Sequence, residues 1–156
     1  MKGFVLITLL LTTSAYGQTA PQVTDALVAI RTHDKALGVS LDNMLGMRAG
    51  QEADVLNSAC NIINFMRVAD GTVIAVANLA LHMRDSEDLK HVIVQLQSSL
   101  DVALSAADIA VQAMNGYMAL AKGPAAVTEM MKARDEMIAI REALRSLKGG
   151  GPPSAQ

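Results

Sequence analysis

Apolar side chains recur along most of this chain at steps of three and four, and four stretches carry the pattern. The first, about 21–48, holds Val23, Leu27, Ile30, Leu37, Leu41 and Met44 in phase. The second, about 52–84, lines up Val55, Ala59, Ile62, Met66, Ala69, Val73, Val76 and Ala80. In the third, about 87–121, the stripe is Leu89, Ile93, Leu96, Leu100, Ala103, Ala107, Ala110, Met114 and Met118. The fourth, about 124–148, offers Ala126, Met130, Ala133, Met137, Ile140, Leu144 and Leu147. A period near 3.6 residues marks an amphipathic helix, and stripes that step by four and three are the seams of packed bundle helices.

Pro21, Gly50, Gly71, Gly123 with Pro124 and the tail GGGPPSAQ punctuate these stretches. Charge placement suggests the same cuts, because a helix dipole favours acids in the first turn and cations in the last. Asp25 and Arg48 bracket the first stretch, Glu52 with Asp54 and Arg84 the second, and Glu87 with Asp88 and Lys122 the third. The fourth opens on Pro124 and closes on Arg145 and Lys148 before Gly149, and Ser86 suits the N-cap of the third. Asp70-Gly71-Thr72 is a turn signal inside the second stretch. The stripe keeps its phase there, so a bend is expected rather than a break into a fifth helix.

Connections of two or three residues make successive helices antiparallel neighbours, and the expected fold is an all-α, up-down-up-down four-helix bundle, roughly 40 to 50 Å long. The Ala-rich run 102–113 would let backbones approach closely. A pair of extended hairpins that complete their core only by dimerising is the rival architecture.

With 156 residues, 51% of them hydrophobic and 18% charged, the chain suits one folded domain. Its expected division is a leader over 1–17, a helical domain over 18–148 and a disordered tail over 149–156. The leader reading rests on Lys2, the apolar run 4–11, and small residues at Ala15 and Gly17 that suit cleavage before Gln18. That pattern implies a periplasmic or secreted protein. The run 73–81, interrupted by Asn78, is too brief to span a bilayer, so no integral membrane segment is expected after cleavage. A net charge of -2 and 3% aromatic residues with no Trp argue against nucleic acid as a partner. Acidity also makes anionic bilayers poor targets for an opened bundle.

Cys60 is the only cysteine, so an internal disulfide is impossible. It is read as a buried thiol, with an intermolecular disulfide as the alternative. No phosphate-cradling glycine loop, HExxH, GxSxG or CxxCH occurs, and no enzyme activity, catalytic residue or cofactor is expected. His33 and Asp34 interrupt the first seam at a depth that faces Arg67 and Asp70 of the second helix and Arg141 of the fourth. A polar layer there would fix register or hold a small ligand between helices. His82 and His91 flank the second connection and are read as surface residues. Met44 with Met47, Met114 with Met118, and Met130, Met131 and Met137 fall at helical spacing; thioethers fill cores and also bind Cu(I). His33 could ligate a haem but has no identifiable partner ligand. These features favour an exported, non-enzymatic bundle that works through a protein partner or by self-association. The alternative is a small-ligand or metal carrier, for copper or haem, built on His33, Asp34, Met44, Met47, Met114 and Met118.

Overall fold

A computed structural model describes residues 20–47, 52–83 and 86–149, apart from the side chains at 20, 21, 81 and 86. The leader over 1–17, the tail beyond Gly149, Arg48, Arg84 and the Ser86 side chain lie outside the described residues. Four helices make up nearly all of the rest: α1 Ala20–Gly46, α2 Ala53–His82, α3 Ser86–Leu120 and α4 Pro124–Lys148. They form an all-α four-helix bundle in which each helix packs on its sequence neighbours and α4 returns to α1. The broadest interfaces are α1 with α4 and α2 with α3; α3 with α4 is intermediate, and α1 with α2 is the narrowest of the four neighbouring pairs.

The helix ends follow local chemistry. Pro124 sits in the first turn of α4, where its missing N–H costs no hydrogen bond. Gly149 ends that helix at φ 93°, its N–H donating back to the carbonyls of Arg145 and Ser146. Dipole-matched charge holds in part: Asp54 opens α2, Glu87 and Asp88 open α3, and Arg145 and Lys148 close α4. Neither end of α1 carries it, because that helix begins at Ala20, more than a turn before Asp25. Glu52, which precedes α2, accepts from the backbone N–H groups of Lys122 and Gly123. This clasp joins the α1–α2 connection to the α3–α4 connection, as an up-down-up-down course requires.

α2 runs unbroken through Gly71. Gly71 is exposed, with open space around it, so the missing side chain costs only helix propensity, about 1 kcal/mol. One cluster forms the main core, with Ile30, Leu37 and Met44 from α1, Leu56, Ile63, Met66 and Val73 from α2, and Met130, Met137, Ile140 and Leu144 from α4. α3 adds Ala103, Ala107, Ala110 and Met114. Three alanines on one stripe let its neighbours close in, in keeping with the Ala-rich run. A second cluster, Val76, Ala80, Leu89 and Val92, comes from α2 and α3 alone and closes the end of that hairpin.

The inward face of α2 differs from expectation. Leu56, Ala59, Cys60, Ile63, Met66 and Asp70 are buried, whereas Val55, Ile62 and Ala69 are only half-buried. The helix is turned by about one position, and Asp70, not Ala69, enters the core.

Truncating Ile63 to Ala should lower unfolding free energy by about 2 to 5 kcal/mol in urea denaturation. Truncating the outward Val39 to Ala should change it by less than about 0.5 kcal/mol.

Candidate functional site

Polar residues line the seams around α1. His33 Nδ1 lies 2.6 Å from Glu136 Oε2 on α4. Two to three turns further along the same seam, Asn43 donates to Glu129 at 3.2 Å, and Lys132 pairs with that carboxylate at 2.6 Å. Lys132 and then Asn43 hold Glu129 below the usual carboxylate range, against the opposing effect of burial. On the α2 side, Arg67 Nε donates to Asp34 Oδ1 at 2.7 Å, and Arg31 donates to Asn78 Oδ1 at 2.6 Å. Gly38 lies beneath the Arg67 guanidinium: a Cβ there would come within 3.2 Å of Nη1. The α1 backbone therefore approaches a charged side chain where most residues would crowd it.

Asp70 stands behind this contact. It is 1% exposed, and neither carboxyl oxygen has a hydrogen-bond partner. Burial, followed by the Asp34 charge, pushes its pKa up to about 7. The amides of Gly71 and Asp70 and the Arg67 charge pull the other way with less effect. Arg67 cannot neutralise Asp70 fully, because its guanidinium is spent on Asp34, a bond that also raises its own pKa.

The structure thus joins Asp34 with Arg67 and places Asp70 beside them, as the depth of the residues suggested. It does not bring Arg141 into the layer. Arg141 pairs with Asp108 of α3 at 3.3 Å and with its neighbour Glu142. Glu136 takes the place on α4 instead, one and a half turns earlier, and His33 faces it. Glu136 stands three residues after the buried Ala133, but one of four acids among the nine charged residues of α4 gives little signal. His82 and His91 are exposed, and His82 Nδ1 engages the Asn78 carbonyl oxygen of its own helix.

Met44 and Met114 are fully buried, while Met47 and Met118 pack at the margin of the same cluster. Antiparallel packing carries both pairs, with Met130, to the end held by the Glu52 clasp. Cys60 is 3% exposed on the core side of α2, a position that keeps the sulfur from a second chain while the bundle is closed. Among the described residues, no group of three or more His, Cys, Asp or Glu side chains is placed to hold a metal ion.

A different surface lies on the far side of the bundle. Between Asp54 and His82 the only charged residues of α2 are Arg67, turned to α1, and the buried Asp70. Between His91 and Leu120 the only charges of α3 are Asp101 and Asp108, which pair with Lys148, Arg141 and Arg145 of α4. The outer side of the α2–α3 pair is left without charge. A shallow cleft of about 250 Å³ runs along it, lined by Ala69, Thr72, Gln95, Ser98, Ser99 and Val102. By length and composition alone, α2 over Ala53–Ala80 and α3 over Glu87–Leu120 are long and apolar enough to cross a membrane, with 18-residue windows of mean hydropathy 1.3 and 1.2. Neither stretch is an uninterrupted apolar run: Asn57, Asn61, Asn64, Arg67, Asp70 and Asn78 are scattered through α2, and Asp101 and Asp108 through α3. About a third of each stretch is buried in the bundle.

Comparison with protein-family models, curated proteins and solved structures finds no match to this chain.

Because the folded chain holds the Asp70 proton more tightly than the unfolded chain, stability should fall as pH rises from about 4 to about 7 and change no further through this group above that. The difference between wild type and Asp70→Asn in urea denaturation should trace this loss, on the order of 4 kcal/mol in total. A pH-independent difference between the two proteins would contradict it.

Proposed function

We propose that this chain is an exported, non-enzymatic helical-bundle protein that works by self-association, two copies meeting through the outer side of α2 and α3. One observation carries the reading: large apolar side chains stay exposed where charge is missing. Seven of the ten exposed large hydrophobic residues among the described positions belong to α2 and α3, with Val68 at 71% and Val102 at 61% exposure. Phe65, Val68 and Leu79 follow Thr72 at steps of seven, four and seven, and Val94 and Ile109 stand in the same relation to Ser98 and Val102. All of them therefore gather around the α2–α3 cleft.

A second copy suits this surface for two reasons. In a two-fold contact each patch meets itself, so a charged patch repels its own image unless its signs alternate. The uncharged α2–α3 side avoids that cost, while α1 and α4 present most of the charge of the bundle. The stretch 61–79 of α2 beside 94–109 of α3 covers a patch of about 20 by 30 Å, of the order of the ~800 Å² per partner buried in stable interfaces. The leader-like pattern at 1–17 supports export, and the lack of any motif with a catalytic mechanism supports a binding role.

The carrier reading keeps one supporting observation, the gathering of Met44, Met47, Met114, Met118 and Met130 at one end of the bundle. If that end takes Cu(I), adding the ion anaerobically should raise the thermal midpoint, since a ligand bound only by the folded state stabilises it.

Sedimentation equilibrium of the mature protein should give a dimer with a dissociation constant in the micromolar range or tighter. Val68→Glu combined with Val102→Glu should return it to monomer with helicity unchanged, because both side chains are already exposed. A wild-type monomer at all concentrations would end the reading, and flotation of that monomer with neutral phospholipid vesicles would assign the surface to lipid.

A further inference from the structure

The four seams of the bundle are not alike. Two of them, α1 with α4 and α2 with α3, are broad. The α1–α2 seam is narrow, and the bonds that cross it are polar: Arg31 with Asn78 and Asp34 with Arg67. Gly38 removes the side chain that would otherwise stand between α1 and Arg67. At one end the seam is pinned, since Glu52 ties the α1–α2 connection to the backbone of Lys122 and Gly123. Nearer the start of α1, Arg31 with Asn78 crosses to α2.

Behind the Asp34–Arg67 bond sits a carboxyl group that is fully enclosed and makes no hydrogen bond. A neutral carboxyl is tolerable in such a place; a carboxylate there has lost its water and gained no partner. The groups around it do not supply one. From α1 it faces Asp34, a like charge; from its own helix come the amides of Gly71 and Asp70, whose pull is weaker than the effect of burial, and Arg67, already bonded to Asp34. Arg31 is engaged with Asn78, and His33 and Glu136 hold each other across the α1–α4 seam. On α3, Asp101 and Asp108 are turned outward onto Lys148, Arg141 and Arg145 of α4.

We propose that the α1–α2 seam is a proton-held latch: with Asp70 neutral the seam stays closed over the core, and with Asp70 ionised it parts from the Arg31 end. Opening rehydrates the Asp70 carboxylate at the smallest cost in apolar contact, because this is the narrowest of the neighbouring interfaces. The opened molecule consists of two intact helix pairs, α1 with α4 and α2 with α3, still joined by the α3–α4 interface and by the Glu52 clasp. Its new surface is the aliphatic lining of the seam, including Ile30, Leu37, Ile63 and Met66. The latch stands apart from the self-association reading, since it concerns the opposite flank of α2.

Ala77→Cys in a Cys60→Ser background supplies the reporter thiol: position 77 lies seven residues after Asp70 on the same line of α2, beside Asn78 at the end that parts, and is buried while the seam is closed. The full mature chain is labelled with 4,4′-dithiodipyridine under native conditions from pH about 5 to about 8, and rates are divided by the thiolate fraction. Between pH about 5 and 7 the corrected rate should rise roughly tenfold per pH unit and then level off, as the closed form holds a proton that the open form has released. Asp70→Asn should flatten the profile. In Asp34→Asn, where Arg67 is free to turn to Asp70, the rise should move to lower pH; this variant serves if circular dichroism shows that Asp70→Asn does not fold. A thiol placed in the α2–α3 interface by Ala106→Cys, in a Cys60→Ser background, should label slowly and without the rise. Identical profiles for the reporter chain with both Asp residues intact and for both Asp variants would overturn the latch. So would the same rise at position 106, because the whole bundle would then be unfolding rather than one seam.

Discussion

Four aliphatic stripes must leave water together, and the chain has almost no aromatic residue with which to do it. Each buried Leu, Ile or Met contributes about 1.5 to 3 kcal/mol, provided that the helices close tightly enough to exclude voids. Ala103, Ala107 and Ala110 make that possible on α3 by removing bulk, and Met44, Met66, Met114, Met130 and Met137 adapt to the gaps that rigid branched residues would leave. The positions of the polar residues follow from this arrangement. Anything that shares a stripe with these side chains is carried inside, whatever its charge.

Asp70 shows the consequence. It lies on the line of Ile63, Met66 and Val73, and turning it outward would pull those residues from the core. The gain from burying three aliphatic groups exceeds the cost of enclosing one carboxyl, above all when that carboxyl can take up a proton. The strain is relieved chemically, by a pKa near 7, rather than by a hydrogen bond. Near its pKa a group of this kind makes the strength of the surrounding seam depend on proton concentration.

Charge is also divided across the bundle. α4 carries nine charged residues in 25 positions, whereas α2 carries three in 30, of which one is buried and one is bonded to α1. Asp101 and Asp108, the acids in the middle of α3, are drawn toward the cations of α4 and so leave the α2 side. The result is a molecule with one charged flank and one uncharged flank rich in exposed aliphatic groups. Such a flank on a bundle without recognisable catalytic chemistry is the basis for reading it as an association surface.

Helix number, helix limits to within a few residues and the stripes of α1, α3 and α4 were legible in the amino-acid pattern, because they rest on a local period and on local breakers such as Pro124 and Gly149. The polar layer was half legible: His33 and Asp34 visibly interrupt a stripe, and counting depth from the short connections reached Arg67 and Asp70. It missed Glu136 and wrongly included Arg141: the two flank opposite sides of the α4 stripe, and which side meets α1 and which meets α3 is set by the handedness of the bundle, which leaves no trace in the period of one helix. In α2 two neighbouring stripes, one through Ala69 and one through Asp70, are almost equally apolar. Only contact with three other helices chose between them, and that choice enclosed a carboxyl group, cleared the outer α2–α3 side of charge and left the α1–α2 seam to polar bonds.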